Sequence, residues 1–340
     1  MNIMSEHSPL STFATARTIG LISDAHGNLE FLIDGSQKLT SLGAGVLVQL
    51  GDFGLVWDGL DHERRQQARL DDALRILDRK LFVIIGNHEN HNLIESIEPD
   101  SAGLRWIGEN VAFLPRAGRL TTTDGTRIGW LGGANSIDKD SRDRHSWWEQ
   151  ERITEADLAA LGTDRLDILL GHDAPKTGAL RLALDGGLSQ WTRSAHEYAD
   201  AGQRMFTRGF AATEPRLVVG GHYHIFLDAP GYFARADGTK FQSRVVILDM
   251  ERAPKSASLL NAETLELTPM DVPLRRRWPL TDPAVELSEL RKRAGLAPDV
   301  AAARLRIATS TFELFLVGRL TPAPWILDAA RQWPDEDTAE

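Results

Sequence analysis

The 340-residue sequence contains no cysteine. Disulfides and thiolate metal sites are therefore excluded, and any bound metal must take imidazole, carboxylate, amide or water ligands. Long apolar runs are missing too, so no membrane span is expected. The opening stretch "MNIMSEHSPLSTFATAR" lacks both a basic start and an apolar core, so it does not read as a signal peptide. A cytoplasmic protein with a short disordered leader is the expectation. Basic charge is also in deficit, with 38 Lys+Arg against 48 Asp+Glu and a net charge of -10. That balance argues against a globally basic nucleic-acid or membrane binder, while leaving room for a local basic patch. What is present, 42% hydrophobic and 25% charged residues, is the composition of an ordinary globular chain, long enough for one large domain and one small one.

Apolar runs that read as buried strands recur through the first three-quarters of the chain: "TIGLIS", "GVLVQL", "LFVII", "IGWLGG", "LDILL", "RLVVGG" and "SRVVILDM". Helical patterns lie between several of them. In "GLDHERRQQARLDDALRILDRK", Leu70, Ala73, Leu74 and Leu77 fall at helical spacing. In "ITEADLAALG", Thr154 followed by Asp157 predicts a capped start and Gly162 a stop. Alternating strands and helices predict an α/β domain.

The residues just after each apolar run carry the chemistry. "TIGLIS" leads into Asp24-Ala25-His26-Gly27-Asn28, and "GVLVQL" into Gly51-Asp52. "LFVII" leads into Gly86-Asn87-His88-Glu89, "LDILL" into Gly171-His172-Asp173, and "RLVV" into Gly220-Gly221-His222-Tyr223-His224. Taken singly, these blocks have ordinary readings as turn formers, helix caps or packed histidines. Together they place Asp, Asn or His at the carboxyl ends of five strands, the edge where ligands bind in open α/β sheets. Six of the ten histidines lie in or beside them. In extended backbone the two-residue spacings Asp24/His26 and His222/His224 point both side chains the same way, as joint metal ligation requires. Such a set suits two divalent cations about 3.5–4 Å apart that clamp a phosphorus centre for in-line displacement.

In this order, Asp-x-His, Gly-Asp, Gly-Asn-His-Glu, Gly-His and Gly-His-x-His resemble the calcineurin-like metallophosphoesterase superfamily, over roughly residues 18 to 265. The resemblance implies a four-layer αββα sandwich, of α/β (α+β) class, with a dinuclear centre. It implies hydrolysis of phosphate mono- or diesters by a metal-bridging hydroxide. Asp24, His26 and His224 would hold the first metal, Asn87, His172 and His222 the second, and Asp52 would bridge. His88 would assist the leaving oxygen, making His88 and Asp52 the catalytic pair. Manganese leads the expected metals; iron and zinc suit the same mixed ligands, and magnesium is less apt beside several imidazoles. The stretch "GDFGLVWDG" has Leu55 and Val56 where protein serine/threonine phosphatases of this superfamily carry an acid and an arginine, which weakens that assignment. The segment "GGANSIDKDSRDRHSWWEQE" instead resembles one in small bacterial and phage-type members. It offers Asn135, Asp138, Arg142 and Arg144 as substrate contacts, with Trp147 and Trp148 as a wall. His91 and Asp173 are read as orienters of neighbouring ligands, and His62, His145 and His196 as surface or structural residues.

The expected organisation is a leader (1–17), a catalytic domain (18–265), a linker (266–283), a small all-α domain (284–334) and an acidic tail (335–340). The helical segment resembles the helix-turn-helix of Cro/repressor-type regulators, with Pro298 to Leu305 as first helix and Thr309 to Val317 as recognition helix. It departs from them at Pro298, where a phosphate-contacting glutamine is usual. Its reading helix "TSTFELFLVG" holds no arginine or lysine. Those apolar residues point to a protein partner or homodimer contact, while the basic runs Arg275 to Arg277 and Arg291 to Arg293 keep DNA open. A phosphoesterase is thus the leading expectation. A DNA- or partner-binding regulator, or a nuclease targeted by the helical domain, is the alternative.

Overall fold

Strands whose residues are buried on both faces build the centre of the molecule. The computed structural model describes residues 10–143, 145–184, 191–235, 237–272 and 280–334. Arg144, the run Arg275 to Arg277 and the acidic tail lie outside the described residues. The strands in chain order are β1 (Thr18–Ile22), β2 (Val46–Gln49), β3 (Leu81–Val83), β4 (Arg105–Trp106) and β5 (Val111–Phe113), then β6 (Ala117–Thr121), β7 (Arg127–Leu131), β8 (Ile168–Gly171) and β9 (Leu217–Gly220). They continue with β10 (Leu227–Ala234), β11 (Lys240–Ile247), β12 (Ala257–Asn261) and β13 (Leu267–Met270). One sheet runs β13-β12-β1-β2-β3-β5-β4 and the other β10-β11-β9-β8-β7-β6, both mixed, with parallel strands at their centres.

The helices are α1 (Ser11–Thr15), α2 (Leu29–Ser41), α3 (Asp61–Leu77), α4 (His91–Ser96), α5 (Glu155–Leu161) and α6 (Gly178–Leu184), then α7 (Arg193–Thr213), α8 (Asp282–Arg293), α9 (Pro298–Arg304), α10 (Thr309–Leu316) and α11 (Pro324–Ala330). Period-two alternation sorts the strand side chains between three cores. Val46 and Val48 of β2, with Ile168 and Leu170 of β8, fill the space between the sheets. Leu47 turns instead to the layer holding Leu32 of α2 and Leu74 of α3. Leu169 and Val218 turn to Leu161 of α5 and to Phe206 and Phe210 of α7. The result is a helix, sheet, sheet, helix sandwich with a helical C-terminal region. Helix α5 starts in the expected capping box of Thr154 with Asp157 and stops at Gly162, whose φ is 73°.

Three expectations need correcting. The stretch expected as a linker (266–283) holds β13, which pairs with β12 and so belongs to the sheet. Within the stretch expected as a disordered leader, Ser11–Thr15 form α1, and Phe13 is fully buried with its ring 5.7 Å from that of Phe82. The apolar face of α10 is not offered to a partner: Phe312 and Phe315 are fully buried in the core shared with α2 and α3. Polar contacts fix this docking. Asp72 accepts the Ala308 N–H at 3.0 Å, Gln37 accepts that of Thr321 at 3.1 Å, and Arg319 pairs with Glu30. Phe312→Ala is expected to cost about 3–5 kcal/mol of stability, the range for a buried aromatic, read from the denaturant midpoint.

Candidate metal centre

The parallel strands β1, β2 and β3 of one sheet and β8 and β9 of the other end at a common edge, and each delivers its polar block there. Asp24, His26, Asp52 and His224 bring one ligand atom each within 4.8 Å of one another. His172 Nε2 lies 2.8 Å from Asn87 Oδ1 and 3.2 Å from Asp52 Oδ1, and the His222 ring centroid is 5.1 Å from that of His172. Two clusters thus share Asp52, whose Oδ2 lies 3.5 Å from His26 Nε2 while Oδ1 faces His172. His88 donates its backbone N–H to Asp52 Oδ1 at 2.7 Å.

Backbone geometry is specialised around these side chains. His26, Asp52, His222 and His224 all sit at positive φ, between 45° and 70°. A Cβ at Gly221 would lie 2.2 Å from Asp24 Oδ2, and one at Gly51 would lie 2.3 Å from His172 Nδ1. Only glycine lets the chain pass so close to the ligands. Glu89, fully buried, accepts the Phe53 N–H at 2.7 Å and the Gly54 N–H at 3.3 Å, pinning the turn that carries Asp52. Burial and the nearby Asp52 charge push its carboxyl up to about 8.

The donor set fits divalent cations. His172 Nδ1 donates to the Leu50 carbonyl at 2.8 Å, so its Nε2 is the atom that meets the oxygens of Asn87 and Asp52. Three lone-pair atoms converging on one point require a positive charge between them, either a proton or a metal. Asp52 Oδ2 is buried with no hydrogen-bond donor, as a metal-facing oxygen would be. Burial opposes charging of His172, but the Asp52 carboxylate outweighs it and lifts the imidazolium to about 10. Its folded value exceeds the ordinary 6.5, so this stabilisation is complete below pH 6.5 and is lost as pH rises through 10. Chelator-treated protein is therefore expected to melt at progressively lower temperature across that window, and added metal should restore the alkaline Tm.

The sequence did not reveal what orients Asn87. Its Nδ2 donates to Ser136 Oγ at 2.9 Å, and Ser136 donates to Glu151 Oε2 at 2.5 Å and through its N–H to Oε1 at 3.0 Å. Glu151 is fully buried and also accepts from the Tyr198 hydroxyl at 2.8 Å. This chain turns the Asn87 amide so that Oδ1 faces His172. Ser136→Ala is expected to weaken metal binding about 10- to 100-fold, as loss of a ligand-orienting partner does. Calorimetric titration with Mn(II) measures it; unchanged affinity would show that Asn87 holds its own orientation.

The expected substrate contacts divide. Asp138 lines the cavity beside the centre and holds Arg142 Nε at 3.0 Å, while Arg142 Nη2 contacts His88 Nδ1. The same Nη2 lies 3.3 Å from His88 Nε2, so the guanidinium is set against both ring nitrogens. Burial, with Arg142 against the ring, holds His88 below the ordinary imidazole range despite the Asp52 charge. Asn135 is buried and donates to the Tyr198 carbonyl at 2.8 Å, outside the cavity lining. Trp148 packs on Trp57 at 5.4 Å and Trp147 lies under Lys139, so neither forms the cavity wall. Trp191 and His196 line it instead. Asp173 accepts the Tyr223 hydroxyl at 2.5 Å rather than orienting a ligand, and His91 is buried with Nε2 unpartnered.

Solved structures of similar fold include TT1561 of Thermus thermophilus, at 15% identity and TM-score 0.45 over 76% of this chain and 100% of that one. A dimetal phosphatase from Danio rerio matches at 13% identity and TM-score 0.40, over 72% of this chain and 92% of that one. No curated protein matches significantly. Residues 17–226, more than half of the chain, match the family model described as calcineurin-like phosphoesterase. The chain belongs to the calcineurin-like phosphoesterase family.

Proposed function

We propose that this protein hydrolyses phosphate mono- or diesters at a two-cation centre, with manganese the leading metal and iron, zinc or magnesium the alternatives. The observation that carries this reading is the sharing of Asp52, whose two oxygens face two separate ligand clusters. Asp24, His26 and His224 would hold one cation, Asn87, His172 and His222 the other, and Asp52 both. When bound, the cations supply positive charge to the phosphate and lower the pKa of the attacking water. The protein's own groups do the rest. His88 would assist the leaving oxygen, with Arg142 set against its ring and Asp138 holding Arg142.

The catalytic unit in this reading spans residues 18–272, because β13 completes its sheet, with 284–334 a helical region docked on α2 and α3. A partner held by Phe312 and Phe315 of α10 would need the face that the chain itself buries. No described helix is long and apolar enough to cross a membrane. The test is hydrolysis of matched monoester and diester chromogenic substrates by protein loaded in turn with manganese, iron and zinc. Activity abolished by chelation and restored by metal supports the reading. Activity indifferent to chelation, or absent with every metal, overturns it.

A further inference from the structure

The cavity beside the centre has two unlike halves. Asp52, Asn87, His88, His222 and His224 form one. Ile137, Ala183, Leu184, Trp191, Ala199 and Ile225 form the other, contributed by the loop after β7, the end of α6, the start of α7 and the loop after β9. Four segments distant in sequence therefore converge on one apolar wall. The cavity volume, about 610 Å³, is that of a site for a small organic molecule.

The polar edge of this apolar half comes from one face of α7. His196, Ala199, Asp200 and Gln203 recur at helical spacing and all line the cavity. Gln203 Nε2 donates to the Tyr223 hydroxyl at 2.9 Å, and that hydroxyl donates to Asp173 at 2.5 Å, so the amide is held with Oε1 left to accept. Asp200, paired with Lys176 and Arg204, retains lone pairs and is a second acceptor. The edge thus asks its ligand for donors. Among the described residues no lysine or arginine lines the cavity. A second phosphate or a nucleic-acid strand would find no such cation among these described lining residues. Lys176 and Arg204 are paired with Asp200, and Arg142 with Asp138, its side chain 10% exposed.

We propose that the cavity selects a phosphoester with a single phosphate group and a flat, mostly apolar ring bearing hydrogen-bond donors. The ring seats on Trp191 and the apolar wall, its donors meet Gln203 Oε1 and Asp200, and the phosphate lies at the histidine end. This deepens the phosphoesterase reading and rests on it.

The test compares esters of the same primary ribose 5′-oxygen that differ in whether a ring is attached at C1′. The pairs are adenosine 5′-monophosphate against ribose 5-phosphate, and the methyl diesters of the same two compounds. In whichever class is cleaved, the ring-bearing ester is expected to lead in kcat/KM by about 10- to 100-fold, the range that ring stacking supplies. Trp191→Ala should collapse that ratio toward one. Gln203→Ala should reduce it and carries the test if the tryptophan variant does not fold. A wild-type ratio near one, or a ratio indifferent to both substitutions, overturns the proposal while leaving the phosphoesterase reading intact. If neither class is cleaved with any metal, the phosphoesterase reading fails. Calorimetry with unphosphorylated adenosine and ribose then decides the cavity separately: adenosine binding lost in Trp191→Ala supports the ring site, and absence of adenosine binding overturns it.

Discussion

Asp52→Asn is expected to lower kcat/KM by about 10³-fold or more and to reduce the metal content of the purified protein. The side chain keeps its size and its acceptor Oδ1 for the His88 N–H, so the turn at Asp52 is retained. What is lost is the charge at the one group shared by both ligand clusters. Removing a single donor to developing transition-state charge already costs about 10²–10³-fold. A residue serving two cations should exceed that. The same substitution removes the carboxylate that raises His172, so the alkaline loss of stability in the metal-free protein should disappear with it. Metal content and kcat/KM measured on one preparation check both halves. Wild-type activity with wild-type metal content would sink the shared-ligand assignment.

His88→Ala is expected to lower kcat by about 10²–10⁴-fold, the range for losing a positioned acid or proton donor at the leaving group. The size of the loss should track the leaving group. An alkoxide leaves poorly and gains most from a proton donor; a nitrophenolate leaves well without one. The measurement is therefore kcat for an alkyl and a nitrophenyl ester, with the larger loss on the alkyl ester. Equal losses on both would make His88 a phosphate-binding or structural group. Because the backbone N–H of residue 88 donates to Asp52, metal content has to be shown intact in the variant.

Where the centre lies could be read from the sequence, because strand ends are local features. A buried run ending in Gly-Asp or Gly-His states its own position, and parallel order brings such ends to one edge without knowledge of side-chain packing. The Thr154 and Asp157 capping box was legible for the same reason. The support beneath the centre was not legible, because it is made by contacts between distant segments. Ser136 stands one residue after Asn135, and only the turn after β7 decides that the serine meets Asn87 and the asparagine faces Tyr198. Glu151 comes fifteen residues later with nothing in its neighbourhood to mark it. Two adjacent tryptophans suggested a wall, yet Trp148 is occupied by Trp57, and Trp191 takes that place. His196 looked incidental because the face of α7 that meets the cavity is set by Phe206 and Phe210 packing on the sheet. The apolar residues of α10 are a similar case: a helix pattern shows that a face must be covered and not what covers it.

Four of the side chains that converge at the centre, His26, Asp52, His222 and His224, stand on left-handed backbone that non-glycine residues avoid. Each such residue holds roughly 1–3 kcal/mol of conformational strain. Glycine at any of the four would relax the chain and erase a ligand. The most stable member of this fold and its working member are therefore different sequences. A search that rewards only thermal tolerance should drift toward the silent one, and selection for turnover is what keeps the chain in its less comfortable conformation.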